Sequence, residues 1–151
     1  MAITRRAVLR GALAAGTGAL AGAGTYGYAY GRHELGVTRA TVPVTGLPPA
    51  LAGLRIGLIT DIHRSLFVSH EDTVRAATMM MTERPDLIVL GGDYVTWGDR
   101  AFVKPAAEAL DPLAAPYGVF GILGNHDDDH DMPAALATRG VAVLKDARTT
   151  V

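Results

Sequence analysis

Leu54-Arg55-Ile56-Gly57-Leu58-Ile59 runs straight into Thr60-Asp61-Ile62-His63, and the same pattern returns twice further on. Leu87-Ile88-Val89-Leu90 leads into Gly91-Gly92-Asp93-Tyr94, and Val119-Phe120-Gly121-Ile122-Leu123 leads into Gly124-Asn125-His126-Asp127. Apolar runs this short are strand-like, because a helix needs ten or more residues to close its turns. Between them lie helical patterns. Ser69 opens the first as a cap, with Glu71 and Asp72 at the positive end of the helix dipole. Val74, Ala77 and Met81 fall on one face of it, Met79-Met80-Met81 read as core filling, and Pro85 ends it. Phe102, Ala106, Ala109, Leu110 and Leu113 share a face, predicting a second helix over residues 102–111. Pro105 is tolerable there in the first turn, and Pro112 and Pro116 stop the helix.

Outward from this centre, Asp131 is expected to cap a third helix, with Pro133 just inside, Leu136 on its apolar face and Gly140 as its stop. Val141–Leu144 reads as a fourth strand. The alternation of strand and helix predicts an α/β fold with a largely parallel sheet, its first strand buried. In such folds ligands gather beyond the carboxyl ends of the strands, where the three polar insertions fall. Residues 33–53 read as an extended lead-in, broken by Leu47-Pro48-Pro49.

The 151 residues carry 14 basic and 15 acidic side chains, so net charge gives no nucleic-acid footprint. The absence of cysteine excludes disulfides, thiolate metal sites and cysteine nucleophiles. Charge is unevenly placed: residues 1–32 hold four Arg and no acid. Thr4-Arg5-Arg6-Ala7-Val8-Leu9-Arg10 resembles a twin-arginine export signal. Residues 11–31 are uncharged but rich in Ala and Gly, which suits either a translocated signal cut near Ala19-Leu20-Ala21 or a retained membrane anchor. The expected location is therefore the periplasm or the outer face of the cytoplasmic membrane. The expected organisation is residues 1–32 as signal or anchor, 33–53 as lead-in and 54–151 as the folded part.

The three insertions carry the chemistry. Asp61 and His63 are two residues apart, so in a continuing strand both side chains reach the same side. Asp93 follows two glycines that let the backbone turn sharply or approach a ligand closely. Asn125, His126 and Asp127 place an amide, an imidazole and a carboxylate together. Oxygen and nitrogen donors of this mix suit a hard-to-borderline divalent metal. Taken singly, each insertion is an ordinary strand-to-helix loop; their order and spacing make them a set.

That set, D-x-H, then G-D, then G-N-H-D, resembles the signature of the calcineurin-like metallophosphoesterases, and in particular an exported, YkuE-like phosphodiesterase branch. The resemblance covers residues 54–143. It implies a layered αββα sandwich and two divalent metal ions (Mn, Fe, Zn or Mg), acting on a phosphate-ester substrate by attack of a metal-bridged hydroxide. It further implies Asp61 and His63 as ligands of the first metal, Asp93 as the bridge and Asn125 as a ligand of the second. His126 would face the substrate, and Asp127 would orient it through a hydrogen bond. The export signal adds the twin-arginine machinery as a partner, and residues 11–31 add possible membrane association.

Two departures from the signature matter. Complete members supply three more His ligands from later G-H or S-H and G-H-x-H segments, which this sequence lacks. His130 reads as part of a solvated loop, and His33 and His70 as surface residues. Thr149-Thr150-Val151 reads as the start of a further strand. The expectation is thus the amino-terminal part of such a domain, incomplete at its carboxyl end, with a non-catalytic metal-binding remnant as the alternative. Arg64 and Trp97 lie just beyond two of the insertions, where they could touch substrate phosphate or a leaving group; the simpler reading makes them a surface Arg and a packed loop Trp.

Overall fold

The computed structural model describes residues 4–150, which fall into two units divided between Gly36 and Val37. The first is dominated by one helix, α1 (Arg5–Ala29), whose described side chains are exposed throughout. Its alanines favour the helix and its glycines weaken it. Thr17 turns its hydroxyl back onto the Leu13 carbonyl at 2.9 Å. The twin-arginine pattern forms the start of this helix, and Ala19-Leu20-Ala21 lies in its middle. Among the described residues no helix is long and apolar enough to cross a membrane.

The second unit is α/β. Its strands β1 (Ile56–Ile59), β2 (Leu87–Leu90), β3 (Val119–Gly121) and β4 (Val141–Val143) form one sheet, all parallel and ordered as in the sequence. The register pairs Ile59 with Leu90, and Leu90 with Gly121, so the three strand ends are level. The three polar insertions therefore emerge side by side. The connecting helices are α2 (His70–Thr82), α3 (Val103–Ala109) and α4 (Asp131–Ala137).

Parallel crossovers are right-handed, and a sheet that adds strands in one direction receives every crossover helix on the same face. Accordingly Ile88, Leu90, Val119 and Val141 are buried with Ala77 of α2, Val103, Ala106 and Ala107 of α3, and Met132 and Leu136 of α4. Among the described residues nothing covers the opposite face: Ile56, Leu58 and Ile122 are 58 %, 60 % and 46 % exposed. This corrects the expectation that β1 is buried. It is an edge strand covered on one side. Of the αββα layering, the described residues supply one α layer and one β layer.

The helix signals read well, with one exception. Ser69 caps α2, its hydroxyl accepting from the Asp72 N–H at 3.0 Å, and Pro105 occupies the first turn of α3. Gly140 takes the left-handed turn (φ +75°) after α4. Asp131, however, does not cap α4. The carboxylate of Asp128 accepts from the N–H groups of His130 and Asp131 at 2.9 and 2.7 Å, while Asp131 lies within the helix and pairs with Arg100. Those two backbone bonds hold the Asp128 carboxyl below its usual range. Met80 and Met81 pack against the core as expected. Arg39 in the lead-in pairs with Glu83 after α2 at 2.6 Å, an exposed contact of small energetic weight.

Candidate metal centre

Beyond Ile59 the chain leaves the strand but continues to hydrogen-bond to its neighbour. The Asp61 N–H donates to Gly92 O, that of His63 to Asp93 O and that of Arg64 to Tyr94 O, at 2.8 to 3.1 Å. Asp61, His63 and Asp93 all adopt left-handed backbone, with φ of 54°, 48° and 53°. Asp61 and His63 thus converge through turned backbone, not through the same-side geometry of a continuing strand. Conformations of this kind cost a non-glycine residue of order 1–3 kcal/mol and collect at functional sites.

The result is a compact donor set. His63 Nε2 lies 3.8 Å from Asp61 Oδ1 and 3.7 Å from Asp93 Oδ2, and the donor atoms of the three residues all lie within 4.8 Å of one another. Among the described residues neither carboxylate pairs with Lys or Arg. Asp93 is only 14 % exposed at its side chain. Two carboxylates this close, without a cationic side chain, leave negative charge that a divalent ion offsets. The donors fit such an ion.

The third insertion is locked to the second. Asp93 Oδ1 accepts from the His126 N–H at 3.0 Å. Gly124 is required for this approach, because a Cβ there would collide with the Asp93 carboxylate. A Cβ on Gly92 (φ +89°) would likewise collide with the Gly124 backbone. Asp127 plays a different part from the one expected. Its carboxylate accepts from the N–H groups of Asp93, Tyr94 and Gly124, each at 2.8 Å. It makes no hydrogen bond to His126, because these amides face both of its oxygens while the imidazole is turned away. His126 Nδ1 instead accepts from the Trp97 N–H at 3.0 Å, and its ring meets His63 edge-on, centroids 4.9 Å apart. Asn125 is exposed and lines, with His126 and Trp97, a cavity of about 350 Å³.

Arg64 and Trp97 exchange the expected environments. Arg64 is packed: its guanidinium caps the Val68 carbonyl at 2.5 Å and lies 4.9 Å from the Phe102 ring centroid. Trp97 is 85 % exposed. No signal in the sequence separated the two, since both follow an insertion by a few residues.

Under the site, Tyr94 is buried and donates its hydroxyl to the Ile122 carbonyl at 3.0 Å. Burial, and secondarily the Asp127 anion, push its phenol well above the usual range. An acid whose folded pKa is raised stabilises the fold fully below its unfolded value, about 10, and loses that contribution as pH climbs further. Stability should therefore fall from about pH 10 upward, and the fall should be shallower in Tyr94→Phe; urea midpoints measured between pH 8 and 11 check this.

With the geometry in place, comparison with known families is decisive: residues 54–146 match the family model described as calcineurin-like phosphoesterase. The chain belongs to the calcineurin-like phosphoesterases. Among curated relatives of this chain, the metallophosphoesterase YkuE of Bacillus subtilis is 33 % identical over 83 % of this chain and 45 % of its own length. The phosphodiesterase YaeI of Escherichia coli is 31 % identical over 66 % of this chain and 39 % of its own. The UDP-2,3-diacylglucosamine pyrophosphatase LpxG of Chlamydia trachomatis is 30 % identical over 67 % and 33 %. The chain thus spans less than half the length of these phosphoesterases. No solved structure matches it significantly.

Proposed function

We propose that this chain serves an exported, metal-dependent hydrolase of phosphodiesters or phosphomonoesters. The observation that carries the reading is the convergence of Asp61, His63 and Asp93 with two carboxylates unpaired by Lys or Arg, beside His126. These three residues would hold a first divalent ion, and Asp93 with Asn125 would contribute to a second. Divalent ions there would supply positive charge to a phosphoryl group and a water acidic enough to ionise near neutral pH.

The chain's own groups do the rest. Asp93 divides its carboxylate, with Oδ1 fixing the His126 backbone and Oδ2 facing His63. Because His126 Nδ1 accepts from Trp97, the neutral ring carries its proton on Nε2, where it can be donated to developing charge on phosphoryl or leaving oxygen. Asp127 acts one step back, holding the loops that carry Asp93 and His126. Asn125 offers a carbonyl without adding charge that would repel phosphate. The name of YaeI favours diesters. Export rests on the twin-arginine pattern at Thr4–Arg10.

The test is turnover of bis(p-nitrophenyl) phosphate by the chain loaded with Mn²⁺. His63→Ala should lower it by about 100-fold or more. Turnover that is equal in His63→Ala, or that survives complete metal removal, would refute the reading.

A further inference from the structure

Trp97 is the only tryptophan in the chain, and it is 85 % exposed beside the metal centre. A side chain with so much apolar surface is normally covered, and one left bare at a site usually covers something else. Its backbone is firmly held. The Trp97 N–H donates to His126 Nδ1 at 3.0 Å, the Gly98 N–H to His126 O at 2.8 Å, and the Asp99 N–H to Thr96 O at 3.1 Å closes the turn. Trp97 also adopts left-handed backbone (φ 52°), as Asp61, His63 and Asp93 do.

The indole leans on His126, centroids 4.8 Å apart with the planes at 59°. His126 in turn meets His63. Three rings therefore form a row from an apolar surface to the carboxylate cluster. Trp97 walls the cavity of about 350 Å³ that Asn125 and His126 also line. The chemistry of the two ends differs. A phosphate anion is repelled by the negative face of an aromatic ring and would be drawn to a divalent ion held at the carboxylate end. Arg100, the basic residue on the cavity wall, is already paired with Asp131. The indole face is therefore suited to the organic part of a phosphoester and not to its phosphate.

We propose that Trp97 is a specificity-determining residue: its ring is the platform for an apolar group on the departing alcohol, so the substrate is an amphipathic phosphoester. This rests on the phosphoesterase reading above and names the class of substrate for the same site. His126, which touches the ring, is then placed at the oxygen that leaves with that apolar group.

The sole tryptophan supplies a readout independent of turnover. The chain is loaded with Zn²⁺ and titrated with methylphosphonate, phenylphosphonate and octylphosphonate, following Trp97 fluorescence and, in parallel, heat. Phenylphosphonate is expected to bind about tenfold more tightly than methylphosphonate and to shift the emission. By calorimetry that ratio should fall to about one in Trp97→Ala and be largely kept in Trp97→Phe. An equal gain for the octyl compound assigns the platform to any apolar group; a gain confined to phenyl assigns it to rings. Equal binding of methyl and phenyl compounds by the unaltered chain, or a phenyl advantage that survives in Trp97→Ala, overturns the proposal and leaves the phosphoesterase reading standing. Failure of all three phosphonates to bind the Zn²⁺-loaded chain overturns both.

Discussion

Asp127→Ala is expected to lower stability by about 3–5 kcal/mol. The Asp127 carboxylate accepts three N–H groups at 2.8 Å from two different loops, at Asp93, Tyr94 and Gly124, and a fourth from Val95 at 3.4 Å. Hydrogen bonds to an ionised acceptor are worth roughly 1.5–3 kcal/mol each, and removing the acceptor strands its donors. Alanine leaves those amides with no protein partner, and water replaces the carboxylate only in part because the site is half-buried. For a unit of about this size the urea midpoint should fall by roughly 2–3 M, which would leave the variant mostly unfolded at modest denaturant. Asp127→Asn should lose about half as much, since an amide keeps one accepting oxygen but points an N–H₂ at the other donors. A midpoint within about 0.3 M of the unaltered chain for Asp127→Ala would show that the loops are held by something else.

The second large effect is on metal affinity. Asp93→Ala should weaken Mn²⁺ binding by more than about 100-fold in calorimetry, because even residues that only orient a ligand cost 10–100-fold. Asp61→Ala should cost less. Its side chain is 61 % exposed, and one of its oxygens is already held by the Thr60 hydroxyl at 2.6 Å, whereas Asp93 is 14 % exposed and faces His63. Mn²⁺ at about a hundred times its Kd should also stabilise the unaltered chain by about 2.7 kcal/mol, a gain that should shrink to about 0.4 kcal/mol or less in Asp93→Ala. Asp93→Asn separates the two roles of this residue. The amide oxygen still accepts the His126 N–H, so the loops stay docked, while the lost charge empties the site. Equal metal affinity in Asp93→Ala and the unaltered chain would dismiss the donor set.

The parts legible in the sequence were those fixed by local chemistry. A short apolar run ending in glycine or a polar residue reads as strand and loop, and three such runs put their loops at one end of a parallel sheet. The Ser69 cap, Pro105 and Gly140 each act within a turn of their own position, and each was readable. Most of what failed depended on groups distant in the chain; the cap of α4 is the local exception, where Asp128 accepts the backbone N–H groups in place of Asp131. Asp127 stands beside His126 in sequence, which suggested a pair, but two of its three short partners lie 33 and 34 residues away, at Tyr94 and Asp93. The exposure of β1 follows from strand order, which apolar pattern alone does not encode. The inversion of Arg64 and Trp97 has the same origin: Arg64 finds Phe102 only after the sheet has formed.

Asp61, His63 and Asp93 occupy three backbone positions where glycine would rest without strain. A chain selected for firmness alone would carry glycine at all three, and in carrying carboxylate and imidazole there this one gives up backbone free energy for reach. The shape of the candidate site is thus written into the torsion angles and amide bonds of the chain itself.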